Sequence, residues 1–165
     1  MAARATLGII PAAGLGRRIL PATRAIPKEL LPVGRRTALD FLAEEALLAG
    51  LTDLVIVSSP DKAKLFATHV GTPAFDSPED RAVADLYAKL RMHIAIQAKP
   101  SGLGDAVRVG RDAARELGAH ETVAVLLPDE IHDGGHTLRA LLDAAAANDG
   151  SAIGADRKST RLNSS

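Results

Sequence analysis

Short apolar runs alternate along this chain with longer stretches of helical periodicity, and that rhythm narrows the folds open to it. Thr6–Pro11 (TLGIIP) and Leu54–Val57 (LVIV) are apolar almost throughout, as strands covered on both faces are. His93–Gln97 alternates, and Val123–Leu127 (VAVLL) is the most apolar run of the set. Thr37 can cap a helix running to Leu48, with Gly50 closing it, and Ser59 can cap a second over Pro60–Val70, with Pro60 at its first position. After a loop over Gly71–Pro78, Glu79–Arg91 places Ala82, Val83, Leu86 and Leu90 at helical spacing. Gly104–Leu117, stopped by Gly118, and His136–Asn148 complete the helices, and Ser151–Gly154 can begin another strand. Crossovers of this length join parallel strands, so the pattern predicts a three-layer α/β fold around an open, mostly parallel sheet. Ligands of such sheets bind beyond the carboxyl ends of the strands, which is where chemistry is to be sought.

Composition removes several function classes. Lys plus Arg and Asp plus Glu are both 20, a formal net charge of zero, which argues against a protein that coats nucleic acid. Aromatic residues are 2% of the chain, too few for a base-stacking platform. There is no cysteine, hence no disulfide framework and no thiolate metal site, which suits a reducing cytoplasm. No apolar run approaches the length of a membrane span. Residues 156–165 (DRKSTRLNSS) are polar, without periodicity, and match one reading frame of a common sequencing-adapter oligonucleotide. They are expected to be a non-native tail, leaving 1–155 as the folded domain, C-terminally truncated, with the natural protein continuing beyond it.

Two segments after the first strand can carry chemistry. Pro11-Ala12-Ala13-Gly14-Leu15-Gly16-Arg17-Arg18 is a small-residue loop whose backbone can approach an anion closely, with Arg18 able to meet phosphate charge. It is not a dinucleotide fingerprint, since Ile19 stands where Gly or Ala is needed, nor a P-loop, since no Gly-Lys-Ser/Thr occurs in the chain. Next come Pro21, Pro27 and Pro32, which stiffen the segment holding Lys28 and Glu29. His132 and His136 are separated by Gly134-Gly135, which breaks the helix that would align them, so they read as loop histidines rather than a zinc site.

The run from Pro11 to Val33, PAAGLG followed by Arg18 and LPATRAIPKELLPV, resembles the signature of the sugar-1-phosphate nucleotidyltransferases. Its Ala-Ala-Gly opening is similar to the bacterial uridylyltransferase branch, which acts on UTP and glucose 1-phosphate, rather than to the thymidylyltransferases. Gln97 to Val107 (QAKPSGLGDAV) and Val125 to Glu130 (VLLPDE) resemble two further family segments in the same order. The resemblance implies a Rossmann-like fold of the nucleotide-diphospho-sugar transferase type, and a reaction giving UDP-glucose and pyrophosphate. It assigns contacts with the nucleotide to the backbone around Ala12, Ala13, Gly14 and Gly16. Gln97 and Gly102 would read the uracil edge, the Gln97 amide offering both donor and acceptor. Arg18 and Lys28 would act on the triphosphate, Glu29 would contact the nucleotide, and Asp129 would ligate Mg²⁺.

The departures from the family pattern are Arg17 for Thr, Ile19 for Phe, Asp105 for His and Glu130 for the second Asp, with a shorter connection from Val70 to His93. Asp105 either brings a carboxylate near the phosphates or caps the helix that starts there. The partners implied are UTP and glucose 1-phosphate, with no nucleic acid and no membrane. Self-association of the full-length protein stays open. The family's sugar-binding residues, a second lysine and a second metal-binding Asp belong to its C-terminal half, so the chain alone is expected to bind UTP weakly and turn over poorly. A dTTP-type relative and a non-catalytic nucleotide-binding module are the alternatives.

Overall fold

The computed structural model describes residues 5–73, 75, 77–99, 101–118, 122–132 and 134–154; the expected non-native tail at 156–165 lies outside them. Four parallel strands form the central sheet: β1 (Leu7–Pro11), β4 (Asp53–Ser58), β5 (Arg91–Ile96) and β6 (Ala124–Val125), in the order β5-β4-β1-β6. A small antiparallel hairpin, β2 (Pro32–Val33) with β3 (Arg36–Thr37), stands apart from it. Helices α1 (Ala38–Ala49), α2 (Ala63–Gly71), α3 (Pro78–Ala88), α4 (Leu103–Glu116) and α5 (His136–Asn148) complete the expected α/β architecture.

Strand alternation sorts the core into two layers. Ile10, Leu54 and Ile56 point to one face and pack with Leu39 and Leu42 of α1, Phe66 of α2, Leu86 of α3 and Leu138 of α5. Leu7, Ile9, Val55 and Val57 point to the other and meet Ala106 and Ala114 of α4. That second layer is thin because α4 lies close against the sheet. A Cβ on Gly110 would come within 2.5 Å of Ile9 Cγ2, so only glycine allows the approach.

The helix signals act largely as read. Thr37 caps α1 through a reciprocal pair in which its hydroxyl accepts from the Asp40 amide and Asp40 accepts from the Thr37 amide. Three expectations change. The second helix begins at Ala63 rather than Pro60, because the Ser59 carbonyl closes a turn onto the amides of Lys62 and Ala63. The expected strand at 123–127 pairs with β1 only over Ala124–Val125; the most buried strand is β4, every residue of which is covered. Ser151–Gly154 forms no strand, and Ile153 is 87% exposed with no neighbour strand to pair with among the described residues.

The chain order places the site. From β1 the chain moves outward to β4 and β5, then returns to the opposite side of β1 as β6. The crevice between the carboxyl ends of β1 and β6 is thus the topological switch point of the sheet.

Candidate functional site

A cleft of about 620 Å³ opens at that switch point. Pro11 at the end of β1, the loop Ala13–Arg17, Lys28, Gln97 just past β5, the start of α4 and the segment Leu127–Asp129 after β6 all line it. Sequence-predicted Ala13, Gly14, Gly16, Lys28, Gln97, Gly102 and Asp129 are therefore brought together, although they derive from segments more than a hundred residues apart at the extremes.

Three predicted residues stand elsewhere. Ala12 is wholly buried and its amide donates to the Val57 carbonyl at 2.8 Å, so it shapes the loop from within and does not line the cleft. Arg17, not Arg18, lines the cleft. Both lie in a 3-10 turn, Arg17–Ile19, whose successive side chains diverge by about a third of a turn. Glu29 is wholly buried beneath Lys28 rather than open to the cleft.

The Lys28 side chain is 22% exposed in the next such turn, Lys28–Leu30. Its Nζ lies 3.9 Å from Glu29 Oε1 and 3.8 Å from Asp129 Oδ1, a cation held between two carboxylates. Asp129 is the open one, with its side chain 60% exposed. Neither Glu29 oxygen finds a well-formed hydrogen-bond partner. Burial pushes its carboxyl up from 4.5 to about 6; its own amide and the charges of Lys28 and Lys62 pull the other way without prevailing.

A stability consequence follows from Glu29. The folded chain holds this proton more tightly than the unfolded chain does between pH 4.5 and 6, so stability falls as pH rises through that window, by roughly 2 kcal/mol. Glu29→Gln is expected to flatten that slope and to stabilise the fold near pH 7 by up to about 2 kcal/mol. Thermal midpoints measured at pH 4.5 and pH 7 check it, and a variant with the parent's slope would refute it.

Lys62 is the residue the sequence reading missed. It is buried, and its Nζ donates to the Gly14 carbonyl at 2.9 Å, pinning the small-residue loop from below. The signal was its position just after β4, at the same sheet edge as the other site residues. Gly102 has φ 90° and ψ 178°, a conformation in effect reserved for glycine, and it opens α4 at the cleft wall. Asp105 does not cap α4: it accepts from Gln97 Nε2 at 2.6 Å and from Arg108 Nη2 at 2.8 Å. The donor end of Gln97 is thereby engaged within the protein, where the sequence reading gave the ligand both ends.

With Arg17 and Lys28 as basic groups, one open carboxylate at Asp129 and apolar walls from Leu15, Leu103 and Leu127, the cleft can hold a nucleotide and its charge. Comparison with known proteins points the same way. The chain is 37% identical over 131 residues to a UTP–glucose-1-phosphate uridylyltransferase of Bacillus subtilis (strain 168), covering 74% of this chain and 44% of that one. It is 32% identical over 140 residues to the protein of that name in Streptococcus pneumoniae serotype 4, covering 81% and 46%. A crystal structure of UDP-glucose pyrophosphorylase complexed with UDP-glucose superposes with a TM-score of 0.72 at 27% identity, covering 88% of this chain and 54% of that chain. This chain spans about half the length of the relatives it matches. A profile described as nucleotidyl transferase matches residues 7–161, nearly the whole sequence; the chain belongs to the nucleotidyl transferase family.

Proposed function

We propose that these residues form the nucleotide-binding half of an enzyme that transfers the uridylyl group of UTP to glucose 1-phosphate, giving UDP-glucose and pyrophosphate. The observation that carries this reading is the convergence of the small-residue loop, Lys28, Gln97, Gly102 and Asp129 in one cleft at the switch point of the sheet. The names of the similar proteins support the choice of nucleotide and sugar.

In this reading the backbone at Ala13, Gly14 and Gly16 receives the nucleotide, while Gln97 and Gly102 face the base. Lys28 and Arg17 meet the phosphates, and Glu29 acts from beneath by holding Lys28. A phosphate oxygen of glucose 1-phosphate attacks the α-phosphorus of UTP. The bond from that phosphorus to the α,β-bridging oxygen breaks, and pyrophosphate leaves opposite the attack. The protein's task is positioning and charge, with no covalent intermediate on a side chain.

Asp129 would hold Mg²⁺. Among the described residues no three His, Asp or Glu side chains gather as a cage. Mg²⁺ needs none, since one or two carboxylates with substrate phosphates and water are its usual ligands, and the open Asp129 carboxylate fits that role. When bound, the ion neutralises charge on the phosphate oxygens.

The same proposal places the protein in the cytoplasm and in carbohydrate metabolism. The cysteine-free sequence suits that compartment, and among the described residues no helix is long and apolar enough to cross a membrane. The test is Mg²⁺-dependent UTP binding, with dTTP as competitor, alongside pyrophosphate release in the presence of glucose 1-phosphate. Binding of UTP ahead of dTTP that weakens in Asp129→Ala is the expected result, with slow turnover in the 165-residue chain. Tighter binding of dTTP, or binding indifferent to Mg²⁺ and to Asp129→Ala, would overturn the reading.

A further inference from the structure

Asp105 stands behind the cleft rather than in it, and its contacts decide what the cleft can ask of a base. It lies in the first turn of α4, where its Oδ2 accepts from Gln97 Nε2 at 2.6 Å. Its Oδ1 accepts twice from Arg108, from Nη2 at 2.8 Å and Nε at 3.2 Å, and Arg108 Nη1 reaches on to Asp112 Oδ2 at 3.3 Å. The Gln97 amide and Arg108 hold the Asp105 carboxyl below its ordinary range, so it is an ionised group that can only accept. The second contact of the same Gln97 nitrogen is the Gly102 carbonyl at 3.4 Å, again an acceptor. Both acceptors fix the amide the same way round, because the flipped amide would set its oxygen against two oxygens. Gln97 itself is only 4% exposed, yet it lines the cleft. What it keeps for a ligand is its carbonyl oxygen.

We propose that Asp105, braced by Arg108, is a specificity-determining positioning residue. By holding the Gln97 amide in one orientation, it makes the cleft accept a base presenting a ring N–H, as uracil does. The same orientation rejects a base presenting a ring-nitrogen lone pair, as cytosine does. The inference rests on the uridylyl-transfer reading, since it takes Gln97 to face the base. It adds a reason for Asp at this position: a carboxylate commits the amide, whereas a side chain that both donates and accepts would not.

The experiment is competition between UTP and CTP in the parent chain, Asp105→Asn, Arg108→Gln and Gln97→Ala. Asparagine can donate to the Gln97 oxygen, freeing the amide to turn its donors to the cleft. The UTP-over-CTP preference is expected to fall about tenfold or more in Asp105→Asn, mainly through tighter CTP binding, and in the same direction by less in Arg108→Gln. A merely structural role would weaken both nucleotides alike.

A second readout is independent of binding. Gln97 is the only glutamine in the chain, so glutamine-specific ¹⁵N labelling gives a single side-chain amide pair. That pair is expected to exchange slowly in the parent and rapidly in Asp105→Asn. If Asp105→Asn fails to fold, Arg108→Gln and the parent's own amide signals decide the matter. Rapid exchange of that pair in the parent, or an unchanged preference in both charge variants, overturns the inference. A preference lost in Gln97→Ala but kept in Asp105→Asn overturns it while leaving the uridylyl reading standing. Absence of UTP binding by the parent overturns both.

Discussion

Lys28→Ala is expected to slow UTP-dependent pyrophosphate release about 10²–10³-fold, the usual cost of removing one preorganised charge from a transition state. The argument rests on how the ammonium is held. A free lysine on a flexible stem would have to be ordered at the moment of reaction, at a rotamer cost of up to about 2 kcal/mol. Here Glu29 Oε1 and Asp129 Oδ1 lie on its two sides at 3.9 and 3.8 Å, and the turn that carries it follows Pro27. The ordering is thus done in the fold. UTP binding in the same variant is expected to weaken less than the rate, because the charge matters most where phosphate charge develops. The buried Glu29 would lose a compensating cation, so its carboxyl should rise above its present value of about 6. A loss of less than tenfold in rate would mean that Lys28 merely neutralises two carboxylates.

The sheet was legible because hydrophobic periodicity reports burial directly. Leu54–Val57 is apolar on both faces because α2 and α4 lie on opposite sides of it, and β4 is indeed covered at every residue. Thr37 and Gly50 bracketed α1 because a hydroxyl before a helix and a glycine after it satisfy orphan backbone groups wherever they occur. Composition misled at Val123–Leu127. Apolar residues there suggested the deepest strand, yet β6 is a two-residue edge whose Val125 is 40% exposed. Apolar content says that a run can be buried, not how many neighbours it has. The β2–β3 hairpin escaped notice for a related reason: two residues per strand are too few to show a period.

Much of the cleft is legible in the sequence, since binding beyond the carboxyl ends of parallel strands is a rule of the fold. Orientation within it is not. Arg17 and Arg18 are adjacent and chemically identical, and only the phase of their turn decides which lines the cleft. Lys62 becomes a site residue through a single contact with a carbonyl 48 positions earlier, which no local pattern encodes. Glu29 reads as a nucleotide contact and is instead sealed beneath Lys28. Such facts belong to tertiary packing, which a motif samples only through the residues it happens to include.

Asp40→Ala is expected to destabilise the fold by about 3–5 kcal/mol, the scale for breaking a buried charged network from one side. Asp40 is 2% exposed and serves three donors at once: the Thr37 amide at 2.7 Å, the His69 ring Nε2 at 2.8 Å and the Tyr87 hydroxyl at 2.7 Å. It thereby ties the start of α1 to α2 and α3 on one face of the sheet. Burial alone would raise its carboxyl, but the bonds from His69, Thr37 and Tyr87 outweigh it and bring the value from 3.8 down to about 2. The folded value lies below the unfolded one, so the stabilisation is complete above pH 3.8 and disappears as pH falls through about 2. The difference amounts to roughly 2.5 kcal/mol. Removing the side chain costs more than that, because it also strands the three donors. Tyr87→Phe, which removes one donor and leaves the acceptor two, should cost only about 1 kcal/mol. Denaturant midpoints for both variants at pH 7, with the acid limb of the parent for comparison, measure all three quantities. Equal losses in Asp40→Ala and Tyr87→Phe would show that the tyrosine bond alone matters and that the network is not a unit.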